Sequence, residues 1–346
     1  MDIEISEQVD QIIQKALMLG ASDLHFDPFP DGIGIHLRIH GKLLPLDQVS
    51  EFPFYTEQSA MARLKVLAKL SLAERRRPQD GQYHFLHGDA ECDLRMATMP
   101  TIRGERAVVR ILPKENPWQS MASLGFTKAL EEEVHQFFSG AGGMLITAGK
   151  VGSGKSTTLY ALMRERNLLG ESVLTIEDPV ERKLDSFSQV EVDEKIGLTF
   201  AEGLRNALRQ DPDLLMVGEI RDELTAQIAV RAGLTGHHLL STVHADSPYQ
   251  VITRLLEFGV ERSYLSESLK LIIWQRLVPI QCDECHGDGC ANCHQVGVMA
   301  RRAEFNMLGT SHIQRFLHDQ TRTSEYNVKG LKMFVAEKEE AAIETN

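Results

Sequence analysis

The sequence predicts an α/β chain in two parts: a smaller N-terminal α+β domain over residues 1–112, then a domain on a mostly parallel sheet over residues 122–310. Three observations predict this. Short apolar runs at Met144–Ala148, Ser172–Ile176, Leu214–Gly218 and His238–Val243 are separated by helical segments, as in buried parallel strands. A glycine-rich loop, Gly149–Ser156, sits between the first run and a helix-compatible segment, Thr157–Arg164. Upstream of Leu112 the pattern changes to strands of period two, which a half-buried sheet needs. A length of 346 residues also suggests two domains.

The elements follow in order. Ser6 reads as the cap of a helix whose apolar positions are Val9, Ile12, Ile13, Ala16 and Leu17, with Gly20 as its stop. Ile33–Ile39 alternates like a strand, and Gly41 marks a turn. A helix is expected near Thr56–Leu70, then strands at Tyr83–Leu86, Cys92–Thr98 and Ala107–Leu112. Pro113 to Pro117 reads as a linker, set within residues 113–121, because each proline breaks regular pairing. In the second part, Thr199 and Glu202 fit a capping box for a helix over Thr199–Arg209. Residues 311–346 read as a helical and acidic tail that frays after about Lys332.

Composition excludes several classes. No run of about 18 apolar residues occurs, so no membrane span is expected. The acidic, polar N-terminus does not read as a secretory signal. Together these predict a cytoplasmic protein. The net charge of -12 lacks the basic footprint of a duplex-DNA motor, so no direct nucleic-acid binding is expected. Arg75–Arg77 is the only triple basic run and reads as a solvated helix end.

Gly149–Ser156 matches G-x-x-x-x-G-K-[ST] in full. Glycines let backbone N–H groups curl around phosphate oxygens, and the following helix adds its positive end. The nucleotide-binding candidates are Gly149, Lys150, Val151, Gly152, Ser153, Gly154, Lys155, Ser156 and Thr157, with Lys155 for the β- and γ-phosphates of ATP and Ser156 for Mg²⁺. Carboxylates end two of the apolar runs. Glu219 follows Leu214–Gly218 and reads as the base that orients water, since Gly218 holds the position where many P-loop enzymes carry Asp. Glu177 and Asp178 follow Ser172–Ile176. His244 follows His238–Val243 and could sense the γ-phosphate; His237 and His238 are weaker candidates.

These residues form an ordered set that resembles the secretion and type IV pilus assembly ATPase superfamily. Thr175–Glu181 resembles its Asp box, Asp211–Asp222 its Walker B region, and Thr235–His237 with Ser241–His244 its His box. Ala21–His25, Leu37–Gly41, Arg95–Pro100 and Gly104–Arg110 resemble its N-terminal domain. Lys150 departs from the usual proline of the loop and His238 from a usual aliphatic residue. The resemblance implies a RecA-like ATPase domain, Glu177 and Asp178 helping to hold Mg²⁺ and the attacking water, and Arg95 and Arg110 as arginine fingers.

Cys282, Cys285, Cys290 and Cys293 form two C-x-x-C pairs, enough for a closed tetrahedral Zn²⁺ site inside the ATPase domain. Gly287 and Gly289 permit the turn between the pairs, and Cys92 reads as a buried apolar residue.

Within the superfamily, retraction ATPases lack the four-cysteine element. Extension and type II secretion ATPases usually carry a further N-terminal region, for which a first motif at Ala21 leaves no room. The resemblance therefore runs closest to the competence pseudopilus ATPases of Gram-positive bacteria. It implies a homo-oligomer, expected as a hexamer, at the cytoplasmic face of the membrane. Its partners would be a polytopic platform protein and, indirectly, pseudopilins. A type II secretion or pilus extension ATPase is the alternative, and a DNA-translocating motor a more distant one.

Overall fold

In the computed structural model, the described residues are 3–30, 32–49, 59–88, 90–113, 120–318 and 332–334. The expected linker residues 114–117, the expected helix start at Thr56 and nearly all of the acidic tail lie outside them. The chain divides into two compact units, Met1–Asn116 with Pro279–Arg301, and Pro117–Val278 with Arg302–Asn346.

The first unit contains α1 (Ile3–Met18), β1 (Ala21–Phe29), β2 (Gly32–Ile39), β3 (Lys42–Pro45), α2 (Leu46–Val49), α3 (Ser59–Leu67), β4 (Gln79–His87), β5 (Ala90–Thr101) and β6 (Gly104–Pro113). α1 begins at Ile3, ahead of the expected cap Ser6, and ends at Met18, two residues before Gly20, whose φ of 64° is the left-handed stop the sequence indicated. The six strands pair antiparallel in the order β3-β2-β1-β6-β5-β4. Period two divides the sheet. Leu24, Phe26, Leu37, Leu94, Met96 and Val109 are buried in one cluster with Ile12 and Ile13 of α1 and Leu64 of α3. The opposite face takes the intervening residues, among them Asp23, His25 and Asp27 of β1, Arg95 of β5, and Arg106 and Arg110 of β6.

The second unit contains α4 (Lys128–Phe138), β7 (Gly143–Ala148), α5 (Lys155–Leu168), β8 (Val173–Glu177), β9 (Ser188–Glu191), α6 (Phe200–Ala207), β10 (Leu214–Val217), α7 (Glu223–Leu234), β11 (His238–Val243), α8 (Pro248–Glu257), α9 (Arg262–Ser268), most of β12 (Leu269–Gln281) and of β13 (Val298–Gly309), whose residues 279–281 and 298–301 group with the first unit, α10 (Thr310–His318) and β14 (Lys332–Phe334). Its strand order is β14-β13-β12-β7-β11-β10-β8-β9, parallel from β12 through β9. Alternation along β7 sends Met144, Ile146 and Ala148 into one cluster with α6, α7, α8 and α10. Leu145 enters a second cluster with α4 and α5. The result is helices on both faces of a parallel sheet, so the loops at the carboxyl ends of β7, β8, β10 and β11 share one edge.

The four cysteines, expected within the second part, fall in Pro279–Arg301 and group with the first unit. Packing gives the reason. Val296 and Val298 are buried in the first unit's core, and Lys42 Nζ donates to the Val296 carbonyl at 2.8 Å.

Candidate nucleotide site and cysteine cluster

β7 delivers the chain to the glycine-rich loop, where Gly149, Gly152 and Gly154 have φ of 144°, 75° and 89°. A Cβ on Gly149 would lie 2.2 Å from the Gln275 carbonyl oxygen and 2.7 Å from Ser153 Oγ, so only glycine fits. α5 starts at Lys155, and its first-turn N–H groups have no partners within the helix. Lys155 is buried, with Nζ donating to the carbonyls of Gly149 at 3.0 Å and Lys150 at 3.1 Å. Burial pulls its ammonium below the ordinary lysine range, and the Glu219 carboxylate opposes that shift. Glycine-shaped concavity, helix N-terminus and buried cation together fit a polyphosphate. A cleft of about 640 Å³ opens beside the loop, lined by Gly149, Lys150, Val151, His244, Asp246 and Arg254 among others.

Glu219 leaves β10 on this edge. Arg221 contacts its carboxylate and also reaches Asp178 Oδ2 at 3.6 Å, while His244 Nε2 stands 3.7 Å from Glu219 Oε2. Hydrogen bonding to Glu219 raises the Arg221 pKa further, so the guanidinium stays charged. The structure therefore brings His244, Lys155 and Arg221 around Glu219, and Arg221 links Asp178 to the same electrostatic group.

Glu177 is placed differently. It is buried, accepts from Tyr160 Oη, and takes Thr175 Oγ1 at 2.6 Å and Gln189 Nε2 at 3.0 Å. Three donors occupy its two oxygens, which ties α5 to the ends of β8 and β9. His238 is also spoken for: its Nε2 bonds the Phe137 carbonyl at 3.2 Å, and its ring packs on Phe137 and Phe138.

In the first unit, Arg95 and Arg110 stand opposite each other across β5 and β6. Arg110 Nε donates to Asp23 Oδ1 at 3.1 Å, and Arg106 Nε to Asp27 Oδ1 at 2.6 Å. Arg106 also meets His25 Nδ1 at 3.0 Å. Arginine only donates, so Nδ1 accepts and the imidazole is neutral. Burial, with Arg38 and Arg106 nearby, holds the His25 pKa below its ordinary value in agreement.

The four cysteine sulfurs lie within 4.8 Å of one another, with Cys282–Cys290 at 3.8 Å and Cys285–Cys293 and Cys290–Cys293 at 3.7 Å. A tetrahedron with metal–sulfur bonds of about 2.3 Å has edges of about 3.8 Å, so the set has the size a zinc ion needs. Backbone N–H groups of Gly289 and Gly297 point at the sulfurs of Cys285 and Cys293. Gly287 and Gly289 have φ of 106° and 96°, and the turns are equally dependent on Gly297, whose Cβ would strike the Gly287 carbonyl at 2.3 Å.

Sequence reasoning passed over Arg221, Tyr160, Gln189 and Gln275. Arg221 carried a signal, since it lies two residues beyond Glu219. Tyr160 lies on the helix that the loop motif opens, at a position the motif does not include, while Gln189 and Gln275 come from strands that no motif marks.

Residues 2–344 match the protein family described as Type II/IV secretion system protein. The chain is 39% identical over 337 residues to the putative type II secretion system protein E of Escherichia coli K12, covering 90% of this chain and 68% of that protein. It is 40% identical over 277 residues to the type IV pilus assembly ATPase PilB of Thermus thermophilus, covering 80% of this chain and 31% of that one. Among solved structures, the pilus retraction motor PilT with bound ADP superposes with a TM-score of 0.65 at 28% identity, covering 88% of this chain and 85% of that one. The ATPase DotB of Yersinia pseudotuberculosis superposes at 0.71 with 22% identity, covering 92% and 83%, which is likeness of fold.

Proposed function

Because this chain belongs to the Type II/IV secretion system protein family, we propose that it is an ATP-hydrolysing motor that powers assembly of a pilus-like filament. The observation that carries this reading is the convergence of Lys155, Glu219 and His244 on the loop and its cleft. The loop N–H groups and Lys155 bind the phosphates. Ser156 and Asp178 are the residues that would hold Mg²⁺, which when bound draws charge from the phosphate oxygens. Glu219, steered by Arg221 and His244, orients the attacking water and takes its proton. Arg95 and Arg110 neutralise charge developing on the γ-phosphate. Phosphate-release assays test the assignment: Lys155→Ala loses ATP binding, while Glu219→Gln binds ATP and turns over about 10²–10⁴-fold more slowly. Near-normal turnover in Glu219→Gln removes that residue from the chemistry.

We assign the pathway to competence pseudopilus assembly. What supports this reading is the four-cysteine element, which the resemblance does not give to retraction motors. The working form is read as a hexameric ring at the cytoplasmic face of the membrane, acting on a polytopic platform protein, with zinc on the four cysteines. Deleting the gene tests the pathway: lost DNA uptake supports it, and lost secretion or lost surface pili with normal uptake gives the alternative. Light scattering with ATP tests the ring, since a monomer hydrolysing at full rate excludes it.

A further inference from the structure

Gln275 belongs to no motif, yet it touches the phosphate loop at three points. It sits on β12 one residue beyond Trp274, which pairs with Ala148, so it lies level with the start of the loop. Its residue exposure is 1%. Nε2 donates to the Ser153 carbonyl at 2.7 Å. A carbonyl only accepts, so the NH₂ end of the amide must face the loop. The other end, Oε1, is buried without a hydrogen-bond partner. The contact continues along the loop: a Cβ on Gly149 would stand 2.2 Å from the Gln275 carbonyl oxygen, and one on Gly154 3.2 Å from Nε2.

The geometry of a peptide unit gives this contact a consequence. Among the described residues the cis bond is Asp178–Pro179, so the Ser153–Gly154 peptide is trans. In a trans peptide the carbonyl and the N–H point in opposite directions. Drawing the Ser153 carbonyl inward to Gln275 therefore turns the Gly154 N–H outward, to the side where an anion is held. An anion cradle needs such N–H groups already aimed, because a free peptide would have to be ordered when the ligand arrives.

We propose that Gln275 is a positioning residue for nucleotide binding, which holds the Ser153–Gly154 peptide so that the Gly154 N–H meets a phosphate oxygen of a nucleoside triphosphate. This rests on reading the loop as a nucleotide site. It also explains why a buried amide is used. Leu or Met would fill the space without a donor, and a glutamate carboxylate would repel the Ser153 carbonyl.

Two variants of the full chain test it, Gln275→Glu and Gln275→Met, with ATP affinity read from a fluorescent ATP analogue across pH and turnover measured at saturation. At about pH 8 each variant is expected to bind ATP about tenfold more weakly than wild type, the cost of a buried carbonyl losing its donor. Turnover at saturation stays within about threefold of wild type, because Gln275 touches no reacting atom. As pH falls toward about 5.5, Gln275→Glu regains affinity relative to wild type, since a protonated carboxyl again offers an O–H donor. Gln275→Met stays weak throughout. A packing role alone moves neither the pH profile nor the split between affinity and turnover. If both variants, folded by circular dichroism, match wild type at every pH, the positioning role is overturned. It is overturned equally if the defect of Gln275→Glu does not change with pH. A wild type that binds no ATP fails differently, and removes the nucleotide reading itself.

Discussion

Glu177 and Glu219 stand at the ends of neighbouring strands, and their partners assign them different work. Glu177 is buried under three donors, from Tyr160, Thr175 and Gln189. Glu177→Gln turns an amide NH₂ toward one of those donors, and is expected to cost about 1–3 kcal/mol of stability in urea unfolding. Glu219→Gln is expected to leave unfolding unchanged within about 0.5 kcal/mol while slowing turnover. If Glu177→Gln unfolds like wild type, the buried network is not what holds α5 to β8. His238 gives a pH prediction. Desolvation holds its pKa below the ordinary 6.5, and the bond to Phe137 only partly offsets this. The unfolded chain therefore binds the proton more readily, so the stability is complete above about pH 6.5 and is lost as pH falls through the lower folded value. His238→Val removes this dependence. The difference in melting temperature between variant and wild type should shift in favour of the variant from about pH 7.5 down to 5. A difference that stays constant over that range would clear His238 of the effect.

At the scale of elements, the sequence was most legible where pattern and chemistry coincide. β11 runs His238–Val243 as expected, and β7 and β10 match within a residue at each end, because buried parallel strands read as short apolar runs. β1 and β12 were passed over for opposite reasons. β1 hides Leu24 and Phe26 among Asp23, His25 and Asp27, whose charges are balanced by arginines on neighbouring strands that no local window includes. β12 is apolar at its start, but its 13 residues exceed the short runs that mark buried strands, and its end turns polar before the cysteines. The capping box of α6 was half right. Thr199 Oγ1 accepts from the Glu202 N–H at 3.2 Å, whereas the Glu202 carboxylate turns to Asn206 at 2.8 Å and to Arg205 at 3.6 Å. Thr199→Ala is therefore expected to cost about 1 kcal/mol, and Glu202→Ala only a few tenths, since exposed pairs along a helix contribute little. Equal losses in the two variants would restore the reciprocal box.

For the whole molecule, the assignment of the cysteines to the first unit makes metal binding a matter of that unit's folding. Val296 and Val298, within five residues of Cys293, are buried in the core built on α1, α3 and the antiparallel sheet. Two C-x-x-C turns, with Gly287 and Gly289 between them and Gly297 after them held at positive φ, are costly to order unaided, and four converging thiols at 3.7–3.8 Å gain little from one another without an ion. A bound metal changes both, since its binding energy then counts toward folding. Elemental analysis should give about one zinc per chain. The phosphate loop lies in the second unit, so nucleotide should stabilise a different transition, by about 2.7 kcal/mol at a hundred times its dissociation constant. Differential scanning calorimetry separates the two. A zinc-selective chelator should lower one transition and leave the nucleotide-dependent one in place, while Mg-ADP raises only the other. Replacing Cys282 and Cys293 with Ser should reproduce the chelator's effect and abolish any further response to it. If the chelator leaves both transitions unmoved in protein shown to hold zinc, the cluster does not support the first unit's core. If it lowers the ADP-sensitive transition instead, the cysteines act on the nucleotide-binding unit, where the sequence had first placed them.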